Sequence, residues 1–330
     1  MTAELRAPVH LGRVALAHWQ TWRPYTTCYP AMLGLAGVLV AGGDRPGQIA
    51  VAVAAPVLGW ISGHYLGDHV DRHLDAIAKP QRPIPSGRLS PRLALVAGIA
   101  CALASLLVAV WQNWHTVPVF VLAMTGVVAY SAVFKRRGLS GNLCRGVLSA
   151  LALVVGAMAA APWPPLALLP VALGFLLHDT ASNLIGTVRD VDGDRAGGCR
   201  SVPVRHGVAV AVRLASALWL AGTALVGAGA LVAHRPGDQL LLVAVALVMG
   251  VAALRVVRPE GLTARRALRS HELFVAERLV LTAAVVAGVA GAGTALLVLA
   301  PVLAFSLVLQ NRMRSRHEFP DESTKQGERA

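Results

Sequence analysis

Long runs of apolar residues, separated by short charged connections, constrain this chain more than any other feature. About 20 apolar residues cross a bilayer as a helix, and only helices or closed barrels satisfy the backbone there. The runs lack the alternation of barrel strands. They are 25–43, 47–66, 93–112, 115–134, 146–162, 165–187, 207–233 and 238–257. The sequence therefore predicts an all-α membrane protein.

A ninth apolar stretch, 277–310, decides how many helices cross the membrane. It is too long for one perpendicular helix and short for two. Gly288, Gly291 and Gly293 are positions where it can break. The basic residues after Gln310 favour an even number of crossings, because positive residues collect on the cytoplasmic side. We expect nine or ten transmembrane helices.

The formal net charge of +13 follows the predicted membrane topology. Lysines and arginines concentrate in alternate connections, which is the positive-inside pattern, with Arg45 and Arg235 as exceptions. This explains the basic character without nucleic acid, and we expect no nucleic-acid partner. The basic connections are 72–92, 135–145, 189–213 and 255–278.

The predicted organisation is one membrane domain, 25–310, between two short ends. Residues 1–24 carry Trp19 and Trp22 among basic residues, which is typical of an interfacial helix and unlike a signal peptide. Residues 311–330 are predicted to be a basic, disordered cytoplasmic tail. The four cysteines are widely scattered, so neither a zinc site nor a disulfide framework is indicated.

An acidic cluster follows the second apolar run. Asp71 and Asp75 are four residues apart and share a helical face, and Asp68 precedes them by one turn. Like charges at this spacing repel, so a membrane helix end tolerates them best with a compensating cation. Mg²⁺ prefers carboxylate oxygens and keeps coordination positions for phosphate. The cluster indicates a magnesium site, with a solvated acidic helix end as the alternative.

A proline-rich basic loop, 79–88, comes directly after this cluster. Its prolines restrict the backbone, and Lys79 and Arg82 supply cationic donors beside the acids. Carboxylates alone repel a diphosphate. Carboxylates that hold a metal, flanked by lysine and arginine, can clamp one. The loop therefore favours the functional interpretation of the cluster.

A second acidic cluster repeats the same spacing. Asp190 and Asp194 are four residues apart after the sixth run, and Arg200 follows. Both clusters are predicted on the cytoplasmic side, so one composite site is expected. Asp179, inside the sixth run, is a functional candidate because an acid in a membrane span is costly. Its alternative is a buried acid satisfied by neighbouring helices.

A third element is Tyr130 with Lys135, near the end of the fourth run. Their functional interpretation is contact with a diphosphate or with the leaving oxygen. The alternative is structural, since tyrosines line membrane interfaces and basic residues anchor cytoplasmic loops.

These motifs resemble those of the UbiA superfamily of intramembrane prenyltransferases. The first cluster and its loop match the pattern N-D-x-x-D-x-x-x-D followed by K-P-x-R-P-x-x-S-G, except that Gly67 replaces the asparagine. This departure removes a neutral ligand from the first metal site. The second cluster matches the D-x-x-x-D motif and the third element matches Y-x-x-x-x-K. The resemblance covers roughly residues 15–310.

The resemblance implies about nine helices around a central cavity with a cytoplasmic cap. It also implies Mg²⁺-dependent transfer of an isoprenyl group from a prenyl diphosphate to a lipophilic, aromatic acceptor, with release of pyrophosphate. The site would face the cytoplasm at the cell membrane, with lipid as a further partner.

Residue roles follow from the same resemblance. Asp71 and Asp75 would hold one Mg²⁺, Asp190 and Asp194 the other, with Asp68 as an additional ligand, and the first four are the expected catalytic residues. The diphosphate contacts would be Lys79, Arg82, Tyr130, Lys135, Arg145 and Arg200. The candidate general bases are His64, His69 and Asp179.

Three other functions compete with this expectation. A relative that cyclises a prenyl diphosphate without an acceptor would use the same metal motifs. A CDP-alcohol phosphotransferase would share Gly67, Asp71 and Asp75, but the D-G-x-x-A-R segment expected upstream is missing. A transporter with acidic gates would place its acids near the bilayer midplane, whereas these clusters lie at span ends.

Overall fold

The computed structural model describes residues 11–258 and 261–319, which are almost entirely helical. Within these ranges the one β-type pairing is an isolated bridge between Arg137 and Arg200. The longer helices are α1 Leu11–Trp22, α2 Pro24–Val40, α3 Pro46–Ala78, α4 Pro91–Gln112, α5 Thr116–Ala132, α6 Leu139–Met158 and α7 Leu169–Arg189. Two short helices, α8 Val191–Ala196 and α9 Val202–His206, precede α10 Val208–Ala228, α11 Pro236–Val256, α12 Ala264–Ala290 and α13 Ala292–Leu309.

Eight helical segments in the described ranges are long and apolar enough to cross a membrane. Helices α2 and α5, with 17 residues each, are apolar but shorter. The stretch 277–310 is two helices, α12 and α13, because Gly291 breaks it. Gly291 has φ +91 and ψ 155, a backbone conformation that is essentially restricted to glycine. The expected all-α membrane fold is confirmed, and the break favours the larger of the two predicted span numbers.

The outer surface of the bundle is apolar, as a bilayer requires. Large side chains such as Leu107, Val248 and Leu297 are 69%, 70% and 79% exposed, and they face away from the helix packing. A soluble protein rarely exposes so many contiguous apolar groups. The polar groups instead lie between helices, where other side chains pair with them.

Helix α12 forms the centre of the bundle, and residues 274–288 along it are all buried. Two acid–base pairs join it to α7: Arg278 donates to Asp179 at 2.8 Å, and Glu277 contacts His178 at 2.5 Å. An unpaired charge at this depth is costly, so each pair compensates its members. Asp179 is therefore satisfied by a neighbouring helix, which was the alternative considered for it.

Glycines allow the closest helix contacts. A Cβ on Gly34 of α2 would lie 1.8 Å from the carbonyl oxygen of Ala52 on α3. A Cβ on Gly156 of α6 would lie 2.3 Å from the carbonyl oxygen of Gly34. Small residues let membrane helices approach backbone to backbone. Helices α2, α3 and α6 are thus fixed against one another near the start of α3, at the end of the bundle away from the acidic residues.

The carboxyl-terminal end of the chain is more ordered than the sequence predicts, whereas α1 lies in the segment for which an interfacial helix is expected. Residues 1–10 and 320–330 lie outside the described residues, but α1 is helical, and the chain after α13 stays helical as far as Glu318. It passes through a π-helix, Gln310–Arg314, into a last helix, α14 Ser315–Glu318. The expected disorder of 311–330 is therefore wrong for 311–318. No glycine or proline lies between Pro301 and Pro320, and Arg314 and His317 are buried against other elements.

Replacing Gly291 by alanine should destabilise the protein by about 1–3 kcal/mol, because alanine is strained in this backbone conformation. The matched control is Gly293→Ala, since a Cβ there meets nothing within 4 Å. Thermal unfolding of both variants in detergent measures the difference. Equal melting temperatures would contradict the role of Gly291 as the break between α12 and α13.

Candidate active site

A cavity of about 580 Å³ lies at the end of the bundle where α3, α5, α6 and α7 meet the loops and the carboxyl-terminal segment. Both acidic clusters line it, so the predicted composite site is present. The lining also includes most of the predicted basic and aromatic contacts, namely Lys79, Arg82, Tyr130, Lys135 and Arg145. The two clusters therefore share one chamber on one side of the bundle.

The first cluster lies on the last turns of α3, which continues well past the apolar run. At 1.5 Å per residue its 33 residues span about 50 Å, more than the roughly 30 Å hydrocarbon core. Each of the three aspartates has a cationic partner. Asp68 contacts Arg23 at 2.5 Å, Asp71 contacts Lys135 at 2.7 Å, and Asp75 contacts Arg82 at 2.9 Å.

The second cluster lies where α7 ends and α8 begins. The amide of Asp194 donates to the carbonyl of Asp190 at 2.8 Å, which keeps the predicted one-turn relation. Arg189 donates to both carboxylate oxygens of Asp190, at 2.9 and 2.6 Å. Lys79 reaches Asp190 at 3.2 Å, so the loop that follows the first cluster is tied to the second cluster.

The two carboxyls of the second cluster have opposite pKa shifts. Burial raises the pKa of Asp194, and the charge of Asp190 adds to the rise. Burial also acts to raise the pKa of Asp190, but Arg189 and Lys79 outweigh it and hold that pKa well below its usual range. Asp190 is therefore firmly ionised. A nearby cation would stabilise the ionised form of Asp194 more than that of Asp190, because Asp190 already has two cationic partners.

The pKa values of Lys79 and Lys135 are shifted in opposite directions. Burial lowers the pKa of Lys79 despite Asp190 and Glu318, whereas Asp71 raises the pKa of Lys135 against the effect of burial. Lys135 is thus fixed as a cation by the first cluster.

Of two arginines predicted to contact the diphosphate, Arg145 lines the cavity and Arg200 does not. The Arg145 guanidinium lies over the Trp60 ring, 4.6 Å from its centroid, and 5.8 Å from that of Tyr130, and both Arg145 and Tyr130 line the cavity. Arg200 does not line it. Its side chain is exposed, and its amide donates to the carbonyl of Arg136 at 3.2 Å on the outside of the loop. The expected diphosphate contact from Arg200 therefore has no support in the geometry.

The candidate bases are mostly engaged elsewhere. His64 lines the cavity, but its ring nitrogens contact Arg23 at 2.8 Å and Thr26 at 2.9 Å. His69 contacts the carbonyl of Pro91 at 2.9 Å and lies outside the lining. Asp179 is held by Arg278 and Ser149 below the cavity. None of the three is a free base directed at the chamber.

Sequence reasoning missed four charged residues of the chamber. Arg23, at φ 48, holds Asp68 and His64, and Arg189 holds Asp190. Arg314 and Glu318 come from the segment predicted to be disordered. Adjacency to Asp190 was the available signal for Arg189. For Glu318, the residues before Pro320 indicated a helix, but no signal in the sequence indicated its contact with the chamber.

An apolar pocket of about 70 Å³ continues from the chamber between α3, α4, α5 and α6. It shares Gly63, Val127, Arg145 and Leu148 with the chamber lining. Its walls are small or apolar, among them Ala55, Gly59, Phe120, Met124 and Leu151. An apolar group attached to an anion in the chamber would enter the bundle at this pocket.

No group of three or more acid, histidine or cysteine ligands is preassembled for a metal within the described ranges. Mg²⁺ commonly binds one or two carboxylates and completes its shell with water and substrate phosphates. Two pairs of aspartates line the cavity, and each pair can supply the carboxylates of one such Mg²⁺. Phosphate oxygens and water would be the remaining ligands. The residues therefore fit magnesium bound together with a phosphate-bearing substrate.

These features define a polytopic membrane protein with a charged chamber for a phosphorylated, apolar ligand. The model of the UbiA prenyltransferase family matches residues 28–276, and the chain belongs to this family of prenyltransferases. It is 34% identical over 238 residues to a digeranylgeranylglyceryl phosphate synthase of Halobacterium salinarum, covering 68% of this chain and 84% of that one. The corresponding match in Natronomonas pharaonis is 34% identical over 184 residues and covers 55% and 66%.

Solved structures have the same fold. A UbiA homologue from Aeropyrum pernix superposes with a TM-score of 0.69 at 19% identity, covering 79% of this chain and 96% of that one. A homologue from Archaeoglobus fulgidus, bound to DMAPP and Mg²⁺, gives 0.61 at 18% identity, covering 82% and 98%. The predicted family and fold are confirmed.

Replacing Arg82 by glutamine should lower stability in the absence of ligand by about 3 kcal/mol, because it leaves the buried Asp75 without its closest cation. Arg200→Gln is the matched control, since its exposed side chain lies outside the chamber. Thermal unfolding in EDTA compares the two variants. If Arg82→Gln is as stable as the control, the ion pair does not hold this end of α3.

Proposed function

We propose that the protein transfers an isoprenyl group from a prenyl diphosphate to a lipophilic acceptor, with Mg²⁺ and with release of pyrophosphate. The observation that carries the proposal is the junction of two environments. Two aspartate pairs and at least four cations line one chamber, and an apolar pocket opens from it. The charged part suits a diphosphate with metal, and the apolar part suits an isoprenoid chain.

Magnesium would be held by Asp71 and Asp75 at one position and by Asp190 and Asp194 at the other. When bound, it neutralises the diphosphate and so stabilises the departing pyrophosphate. Asp68, which pairs with Arg23 at 2.5 Å, would be an additional ligand at the first position.

The chain's own cations have complementary roles. Lys79, Arg82 and Lys135 would contact phosphate oxygens and stabilise the charge that grows on the leaving group. The bond between the prenyl carbon and its oxygen breaks, and the electron pair leaves with pyrophosphate. The allylic cation is then captured by the acceptor, which loses a proton. Arg145 and Tyr130 lie at the border of the apolar pocket, where the reacting carbon would lie.

Two observations favour an acceptor that carries a phosphate group. The named relatives are synthases of a glyceryl phosphate lipid, which favours an acceptor with a phosphate group over an aromatic one. Arg314 also lines the chamber, 3% exposed, and hydrogen bonds to Gln310 and His271 leave its Nε without a partner. A buried cation of this kind suits the phosphate of a second substrate.

The chamber is proposed to open to the cytoplasm at the cell membrane. The support is the positive-inside rule, because the basic connections 72–92, 135–145 and 189–213 lie at the chamber's end of the bundle. Prenyl diphosphate and acceptor would then enter from the cytoplasm and the bilayer.

The test is an assay of purified protein with radiolabelled geranyl or geranylgeranyl diphosphate. We expect pyrophosphate release and a prenylated lipid that both require Mg²⁺ and an acceptor. Asp71→Asn and Asp190→Asn should each reduce the rate about 100-fold or more, because each removes a charged ligand of the Mg²⁺ that stabilises the leaving group. The matched control is Asp44→Asn, an exposed aspartate in the loop between α2 and α3.

The acceptors compared are a prenylated glyceryl phosphate, an aromatic quinone precursor and none. Product formation without any acceptor would indicate cyclisation instead of transfer. Full activity of both aspartate variants would contradict the proposed site.

A further inference from the structure

The segment after α13 folds back across the mouth of the chamber. Arg314 contacts His271 of α12 at 2.8 Å and Gln310 at 2.7 Å, which anchors the π-helix. The last helix, α14, is held from two other directions. Arg23 donates to the His317 ring at 2.8 Å, and Gln81 donates to the His317 carbonyl at 3.0 Å. The carboxyl-terminal segment is therefore a docked part of the chamber wall.

The side chain at the end of this segment reaches the cations of the site. The Glu318 carboxylate lies 2.6 Å from Lys79 Nζ, 3.2 Å from Arg189 Nη1 and 3.5 Å from Arg82 Nη2. Its side chain is only 9% exposed. Lys79 and Arg82 belong to the loop after α3, whereas Arg189 ends α7. One carboxylate thus occupies the point where the basic residues of both clusters converge.

Three cations around one carboxylate make an arrangement better suited to a ligand of higher charge. Each also contacts an aspartate, Lys79 and Arg189 through Asp190 and Arg82 through Asp75. A diphosphate carries more negative charge than a carboxylate and offers more acceptor oxygens. It would therefore gain more from the same cations. Buried cations cost energy when their charge is not compensated, and Glu318 adds a further anionic contact to those of the aspartates that already pair with these three side chains.

We propose that Glu318 is an internal competitor for the diphosphate, carried on a small lid, α14. In the free protein its carboxylate fills the place of a phosphate group on Lys79, Arg82 and Arg189. Binding of the diphosphate with Mg²⁺ displaces it, and departure of pyrophosphate lets it return. The π-helix Gln310–Arg314 stays anchored to α12, and α14 moves relative to it; π-helices are frequent at functional sites. This inference rests on the proposed function of the chamber.

The competition has a measurable consequence. The apparent affinity for a ligand is reduced by the fraction of protein in the competent state. If Glu318 holds the closed state at about 90–99%, its removal should tighten binding about ten- to hundredfold. The change must appear without new contacts to the ligand, because glutamine at this position adds no charge.

The experiment measures binding of inorganic pyrophosphate with Mg²⁺ to the full chain in detergent by calorimetry. We expect Glu318→Gln to bind about ten- to hundredfold more tightly than the unmodified protein. The matched control, Glu272→Gln, removes a carboxylate on α12 that pairs with Arg269 and should leave the affinity unchanged. Equal or weaker binding by Glu318→Gln overturns the inference, since weaker binding means that Glu318 itself holds the metal or ligand.

A second measurement follows the lid in the unmodified protein. Hydrogen exchange of the amides in 315–318 should become faster when pyrophosphate and Mg²⁺ are added, while exchange in 190–196 becomes slower. Slower exchange in 315–318 would mean closure over the ligand and would overturn the inference. If neither the unmodified protein nor Glu318→Gln binds pyrophosphate, the proposed function fails and the inference fails with it.

Discussion

Pairing of aspartates with lysines and arginines across the chamber is the interaction on which the rest of this site depends. Charges removed from water are costly unless a partner compensates them, and here nearly every chamber carboxylate has one. Lys79 has a special place, since it contacts both Asp190 and Glu318. The pairs hold α3, the loop after it, α7 and the carboxyl-terminal segment in register before any ligand is present.

The same pairs leave the site ready to exchange partners. When Mg²⁺ and a diphosphate bind together, the metal can replace the lysines and arginines as partner of the carboxylates. The diphosphate can replace the carboxylates as partner of the lysines and arginines. The opposite pKa shifts of Asp190 and Asp194 fit this arrangement, because one carboxyl is saturated with cations and the other is not. The bundle supplies the rigid support. Glycine contacts bring α2, α3 and α6 together, and buried acid–base pairs join α7 to α12.

Local patterns predicted much of this architecture. Apolar runs gave the helices, and i,i+4 spacing brought Asp71 with Asp75 and Asp190 with Asp194 onto shared faces. Tyr130, Lys135 and Arg145 also reached the chamber, as expected. Arg200 did not, because its amide is bonded to Arg136 on the outer side of the loop, a tertiary contact that spacing does not encode. Glu318 meets Lys79 across more than 200 positions of sequence, and no local rule reports such a contact.

The central claim is that both aspartate pairs hold one diphosphate through Mg²⁺. A structure of the protein crystallised with Mg²⁺ and a prenyl S-thiolodiphosphate, whose carbon–sulfur bond resists cleavage, tests it most directly. The account predicts one metal between the diphosphate and Asp71 with Asp75, another between the diphosphate and Asp190 with Asp194, and the prenyl chain in the pocket beside Met124. A diphosphate bound away from either pair, or metals that contact only one of them, would contradict it.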